Sequence, residues 1–263
     1  VLPDQTMNPG LLENAISKKT KAIMPVHLTG RISEMNEINR IAKKYNIPVI
    51  EDAAQSIGSK YHNKPAGSLG TIGCFSAHPL KNLNAIGDAG YLTTNNKKIY
   101  EKVVELRNHG MTNRNKIKTF GYVSRMDNVQ AAILNYRLKN LRNVIERRRK
   151  NYNIYKEYLN LDKVFIPDEK KYQYNTFHTF VVQVNKRDEL KKYLNDNGVS
   201  SAIHYPVPIH LQPAAKYLGH KEGSFVNTEN QAKRILTLPI NQFLKKDEIK
   251  YVSDKINNFF SKN

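Results

Sequence analysis

Two residues in this 263-residue chain are of types that do chemistry together. Asp52 closes the apolar run "IPVIED" (47–52) and is followed by the small residues Ala53 and Ala54, then Gln55. Lys81 stands in "SAHPLKN" (76–82), just past the apolar "IGCFS" that ends in Ser76. Taken singly, a strand-terminal aspartate is commonly a turn or cap residue, and a lysine is commonly surface decoration. In a parallel α/β sheet, however, ligands collect at the carboxyl ends of the strands. Two strand tips then bring a carboxylate, a primary amine and a hydroxyl to one edge. The amine can form a Schiff base with a carbonyl. The carboxylate can hold a pyridine nitrogen protonated, so that the ring withdraws electrons, and the hydroxyl can bind phosphate. Together these are the requirements of pyridoxal phosphate.

The elements that must position these groups follow from apolar periodicity. "KAIMPVHL" (21–28), "IPVIED" (47–52), "TIGCFSA" (71–77) and "GYLTT" (90–94) read as strands. Ser33 is a candidate helix N-cap, with Glu34 and Glu37 near the positive end of the dipole. Ile38, Ile41, Ala42 and Tyr45 then form one apolar stripe. "KKIYEKVVELRNHG" (97–110) is a helix closed by Gly110. Strand, helix, strand with continuously apolar strands predicts a mostly parallel α/β sheet covered on both faces. A long helical region runs from Met126 to about Leu159. Beyond it the pattern becomes α+β, with strands over 178–184 and 199–206, helices over 187–198, near 228–236 and over 246–260, and a Pro-rich crossing over 204–213. In the last helix Ile249, Val252, Ile256 and Phe259 form a stripe. The organisation expected is a large domain over 1–135, a connecting long helix over 136–160 and a smaller C-terminal α+β domain over 161–263, packed together without a low-complexity linker.

Composition narrows the class. A hydrophobic fraction of 40% and a charged fraction of 25% are ordinary for a globular protein with a real core. No apolar stretch approaches the roughly 18–20 residues of a membrane span, and no secretory leader is visible. The single Cys74 excludes an internal disulfide framework and all-cysteine metal sites, so a cytoplasmic, reducing setting is expected and no metal site is predicted. The net charge of +19 invites a nucleic-acid reading. The lysines are scattered through the chain, and no aromatic-rich basic module of the nucleic-acid-binding kinds is present. The densest run, "IERRRKNY" (145–152), includes Glu146 on a predicted helix and reads mainly as a solvated face. An anionic small substrate would suit the same charge.

Longer strings carry a resemblance. "PVHLTG" (25–30), "VIEDAAQSIGS" (49–59), "GSLGTIGCFSAHPLKNL" (67–83), "GDAG" (87–90), "RNHG" (107–110), "GYVSRMDNVQAA" (121–132), "ERRR" (146–149) and "HYPVPIHLQP" (204–213) together resemble the DegT/DnrJ/EryC1/StrS sugar aminotransferases. The resemblance runs from about residue 3 to the C-terminus. It implies the fold of the fold-type I pyridoxal-phosphate enzymes: an aspartate aminotransferase-like large domain with a mostly parallel sheet, plus a smaller C-terminal α+β domain. It further implies Lys81 as the Schiff-base lysine, Asp52 as partner of the pyridine nitrogen, Gln55 at the ring face or its 3-hydroxyl, and Ser76 at the phosphate. His204 and Tyr205 would lie near a sugar pocket, on a loop stiffened by Pro206 and Pro208. His27 matches the family's "PVH" histidine and reads either as a packed strand-end residue or as an active-site contact. His78 reads either as a satisfied core histidine or as a residue supporting the ligand contacts.

There are two departures from the family pattern. The family carries an asparagine in its "GYN-x-R" segment, which reaches the cofactor phosphate across a dimer interface. Here Val123 stands there and cannot donate that hydrogen bond, which leaves Arg125 or a neighbour as substitute. Family members also carry about another hundred residues ahead of the position of Val1, including a Gly-Thr turn at a helix N-terminus that cradles phosphate. A truncated record of a longer enzyme is therefore expected.

The resemblance implies a homodimer with shared active sites. The reaction implied is amino transfer from glutamate or glutamine to a keto-sugar, nucleotide-linked, in surface polysaccharide or other amino-sugar biosynthesis. Lys81 would move the proton as general base and acid, and burial should lower its pKa. The rivals are a dehydrating enzyme of the same fold, against which Lys81 itself argues because that branch carries histidine there; an impaired fragment or PLP-linked regulatory protein; and a basic nucleic-acid binder.

Overall fold

The computed structural model describes residues 1–262. Strand β1 (Ile50–Asp52) runs parallel to β2 (Ile72–Ser76), with Asp52 level with Cys74. On the other side of β2, β3 (Gly90–Thr93) pairs antiparallel. The sheet is thus mixed where the sequence predicts mostly parallel. The segment between Ser76 and Gly90 holds no helix, and a parallel return needs a crossover of a dozen or more residues, usually helical. "KAIMPVHL" is not a continuous strand. It contributes two parallel bridges, Ile23 to Val49 and Val26 to Asp52, and Pro25 within it has no N–H to give a ladder. At Gly73 a Cβ would lie 2.3 Å from the Cα of Gly67, so β2 can pass the 67–70 turn only with glycine there.

Helix α1 (Met35–Lys44) buries Met35, Ile38, Ile41 and Ala42 as the stripe predicts. Its predicted cap is displaced: the residue before the helix is Glu34, and the Ser33 hydroxyl donates to the Val26 carbonyl (3.1 Å). Tyr45, at the end of the stripe, is 40% exposed and donates its hydroxyl to Glu13. Helix α2 (Lys97–Leu106) is capped by Asn96, and Gly110 follows at a φ of +76°. The long helical region resolves into α3 (Asn128–Leu138) and α4 (Leu141–Tyr158).

The second sheet is antiparallel, with β4 (Phe180–Val184) between Val164–Phe165 and β5 (Ile235–Leu238). Helices α5 (Arg187–Asp196), α6 (Val226–Arg234) and α7 (Lys246–Lys262) complete this part. The strand expected over 199–206 reduces to one bridge, Ala202 to Thr237. β5 begins inside the stretch read as helix, because a four-residue apolar run carries no period of its own. Ile249, Val252, Ile256 and Phe259 pack into a core with Tyr155, Val182, Leu190 and Leu236. A second core joins Ile23, Met35, Ile38, Val49 and Phe75 beneath the first sheet. A third, with Leu83, Leu134, Leu141 and Ile145, joins α3 and α4 to the segment after β2. No helix among the described residues is long and apolar enough to cross a membrane.

Candidate active site

The ends of β1 and β2 open onto a cavity of about 1180 Å³ whose lining includes Gln55, Ser76, His78, Lys81, Arg125, His204 and Tyr205. All seven were singled out from the sequence; of the other two candidates, Asp52 and His27, neither lines the cavity. The charge of Asp52 is nevertheless felt at Lys81. Burial pushes the Lys81 pKa below that of an ordinary lysine, and the Asp52 carboxylate opposes this in part. A lysine so placed spends more of its time as the neutral, nucleophilic amine. Asp52 is itself held by backbone, its Oδ1 accepting from the Ala54 N–H (3.1 Å). Ser76 Oγ accepts from the His78 N–H (3.3 Å), and His78 Nδ1 accepts from the Leu80 N–H (3.2 Å). These short bonds shape the turn that carries Lys81.

Gln55 is oriented by a separate device. Its Oε1 accepts from the Thr29 N–H (2.7 Å), in a turn where Thr29 and Gly30 have φ of +63° and +95°. A Cβ on Gly30 would meet Thr176 Oγ1 at 2.5 Å, so the "LTG" turn admits only glycine in that place.

His27 lies apart from the cavity altogether. It is wholly buried, its Nδ1 accepts from the Ser33 N–H (3.3 Å), and its Nε2 donates to Glu51 Oε2 (3.0 Å). It does not line the cavity. Of the two readings the sequence allowed, the geometry carries the packed strand-end histidine. Its partner Glu51 also accepts from the backbone N–H groups of Gly67 (2.8 Å), Leu69 (2.7 Å) and Gly70 (2.5 Å). Burial alone would raise the Glu51 pKa, but the His27 bond and these N–H groups win and hold it below the usual carboxylate range.

The solvated-face reading of the arginine run holds for Glu146, Arg147 and Lys150 and fails for Arg148 and Arg149. Arg148 is buried and donates to the carbonyls of Phe177 and His178 (both 3.0 Å). Arg149 grips Glu169 with two bonds (2.6 and 2.8 Å) and lies over the Tyr174 ring. These cations are consumed inside the fold. A helical wheel cannot show this, because their partners come from 169–178, a segment distant in sequence.

Sequence reasoning missed His178, Arg107, Asp88 and Tyr91, which also line the cavity. The sequence makes His178 the first residue of a strand, which in the structure begins at Phe180. A histidine at the head of the largely apolar "TFVVQV" is the one signal that could have marked it. Val123 lines the cavity and is 67% exposed, with a side chain that offers no hydrogen bond. Arg125, beside it, is oriented by Asn108 Oδ1 (3.3 Å).

A desolvated lysine amine, a carboxylate within electrostatic reach of it and a hydroxyl at the neighbouring strand end fit pyridoxal phosphate: Lys81 would anchor it, Asp52 would keep its ring nitrogen protonated and Ser76 would bind its phosphate. The cavity is at least as large as the roughly 300–1,000 Å³ of a small-molecule pocket. Fold and site thus define an α/β protein that carries a desolvated lysine in a cavity at its strand ends. The family model for the DegT/DnrJ/EryC1/StrS aminotransferases matches residues 3–257, and the chain belongs to that family of PLP-dependent sugar transaminases.

Individual relatives agree. A pleiotropic regulatory protein of Geobacillus stearothermophilus is 41% identical over 97% of this chain and 69% of its own length. A dTDP-3-amino-3,4,6-trideoxy-alpha-D-glucose transaminase of Streptomyces venezuelae is 34% identical over 95% and 66%. The crystal structure of S. venezuelae DesV, in complex with a ketimine intermediate, superposes with a TM-score of 0.93 at 34% identity, over 97% of this chain and 69% of that one. The chain thus spans about two thirds of the length of these relatives.

Proposed function

We propose that this chain acts in amino transfer from glutamate or glutamine to a nucleotide-linked keto-sugar, with Lys81 and Asp52 as catalytic residues. The observation that carries the reading is the convergence of Lys81, Ser76, Gln55, Arg125, His204 and Tyr205 on one cavity at the strand ends, with the Asp52 charge felt at Lys81. When bound, pyridoxal phosphate supplies the electron-withdrawing ring that makes the substrate's C–H acidic. The protein's part is to hold, orient and move protons. Lys81 Nζ binds the cofactor and, when free, takes a proton from one carbon and returns it to another, as a base whose pKa is lowered toward working pH can. Asp52 keeps a proton on the ring nitrogen. Ser76 binds phosphate, and Gln55, fixed by Thr29, bears on the ring. Arg125 and Arg107 line the same cavity and suit a carboxylate or phosphate. His204, whose Nδ1 lies 2.9 Å from Thr237 Oγ1, and Tyr205, 60% exposed, stand where a sugar would enter.

The organisation that goes with this reading is a cofactor-binding part over 1–135, a connecting helix over 136–160 and a smaller part over 161–263. A homodimer is part of it, because Phe120, Tyr122 and Val123 are 95%, 72% and 67% exposed where Val123 and Arg125 border the cavity. The free Cys74 suits a reducing cytoplasm. A second reading, a PLP-linked regulatory protein, is favoured by the name borne by the Geobacillus relative.

The test is spectroscopic and kinetic. Wild-type protein mixed with pyridoxal phosphate should develop an absorbance band that Lys81→Ala lacks, and glutamate should discharge it. A band that forms but never turns over with glutamate and a dTDP-linked 3-keto-sugar favours the regulatory reading. Absence of any Lys81-dependent band sinks both.

A further inference from the structure

His178 is held in the cavity wall by both of its backbone polar groups. Its backbone N–H donates to the Thr29 carbonyl (2.9 Å), in the same turn whose N–H fixes Gln55. Its carbonyl accepts from the buried Arg148 (3.0 Å). Between these two clamps the ring lines the cavity with Lys81 and His204, and its Nδ1 is buried without a hydrogen-bond partner. Buried polar groups are nearly always satisfied; this nitrogen is sealed into the wall, so what the ring offers the cavity is its remaining edge. Burial pushes the ring's pKa down to about 3, and its neighbours Lys81, Arg148 and His204 push the same way. The ring is therefore neutral at working pH.

A neutral imidazole offers one N–H and one lone pair. A carboxylate or phosphate asks for donors and charge, which Arg125 and Arg107 supply in the same cavity. A hydroxyl is donor and acceptor at once and is the group that matches a neutral imidazole.

We propose that His178 binds a hydroxyl of the sugar substrate and so helps to select it. This rests on the sugar-aminotransferase reading above and assigns a substrate-selecting role to a residue outside the motifs that carry the family resemblance.

The experiment separates the sugar from the amino donor. Binding of dTDP-3-amino-3,4,6-trideoxy-α-D-glucose to the cofactor-free protein is measured by calorimetry for wild type, His178→Ala and His178→Asn. In the loaded protein, discharge of the Lys81-dependent band by glutamate is followed in a single turnover. Loss of one hydrogen bond in a desolvated site predicts about tenfold weaker binding of the amino sugar by His178→Ala, partial recovery by His178→Asn, and a glutamate step changed by less than about threefold. Unchanged sugar affinity overturns the proposal, and so does an equal loss in the glutamate step, which would mark the ring as a support for Lys81. Thermal unfolding checks each variant, and if the alanine variant fails to fold the asparagine variant carries the same comparison. A wild-type protein that forms the band but whose sugar affinity ignores residue 178 sinks this inference alone. One that neither forms the band nor binds the amino sugar sinks the functional reading with it.

Discussion

At the scale of the residue, the site depends on how solvent exclusion sets protonation. Lys81 and His178 line one cavity, and burial moves both toward their neutral forms. Asp52 supports the charged form of Lys81. Asp52→Asn should therefore lower the lysine's pKa further. The rate at which the cofactor-free protein captures pyridoxal phosphate should rise with pH along a limb displaced to lower pH in that variant. A limb that does not move, or moves up, means that the two side chains do not interact. His178 gives a stability prediction of definite sign. Between about 3 and 6.5 the unfolded chain binds a proton on this ring that the folded chain refuses. Stability contributed here is present above 6.5 and is lost as pH falls through that window. Replacing His178 by Asn should flatten the acid limb of a urea-midpoint-versus-pH curve, and a limb of unchanged slope counts against a neutral ring.

At the scale of the element, Glu51 does for the scaffold what Asp52 does for the chemistry. Successive residues on a strand point to opposite faces, so one carboxylate of the "ED" pair serves the interior and the other the site. Glu51 ties β1 to His27 on one side and to the 67–70 turn that leads into β2 on the other. Removing it leaves three backbone donors and an imidazole unpaired in the interior. Glu51→Ala should destabilise the protein by about 3–5 kcal/mol in urea unfolding, far more than the loss of an exposed ion pair such as Arg40–Glu37. A cost below about 1 kcal/mol would mean that water replaces the carboxylate and that the clamp is not structural.

At the scale of the whole molecule, the net charge of +19 is a matter of self-repulsion and substrate attraction. Several cations that look available in the sequence are engaged inside: Arg31 on the Pro167 and Asp168 carbonyls, Arg148 on 177–178, Arg187 on the Ala232 and Ile235 carbonyls. The remaining surface excess should make the protein more stable as salt rises. Thermal midpoints are expected to climb between about 0.01 and 0.3 M sodium chloride, as screening shortens from about 30 Å toward 6 Å. A falling midpoint would show that attractive ion pairs, Arg149–Glu169 foremost, dominate the balance.

Local patterning by itself determined the helices with strong periodicity and the two strands that lead to Asp52 and Ser76, because those signals sit within one or two turns of chain. It also left His27 undecided and placed Arg148 in solvent, since the partner of each is contributed by a segment remote in sequence. The direction of β3, the strand at Ile235–Leu238 and the place of His178 beside Lys81 were settled only in three dimensions. The physical reason is the same in each case. Hydrogen-bond satisfaction and desolvation act between neighbours in space, and a residue's type announces what it can bond but not what the fold will leave beside it.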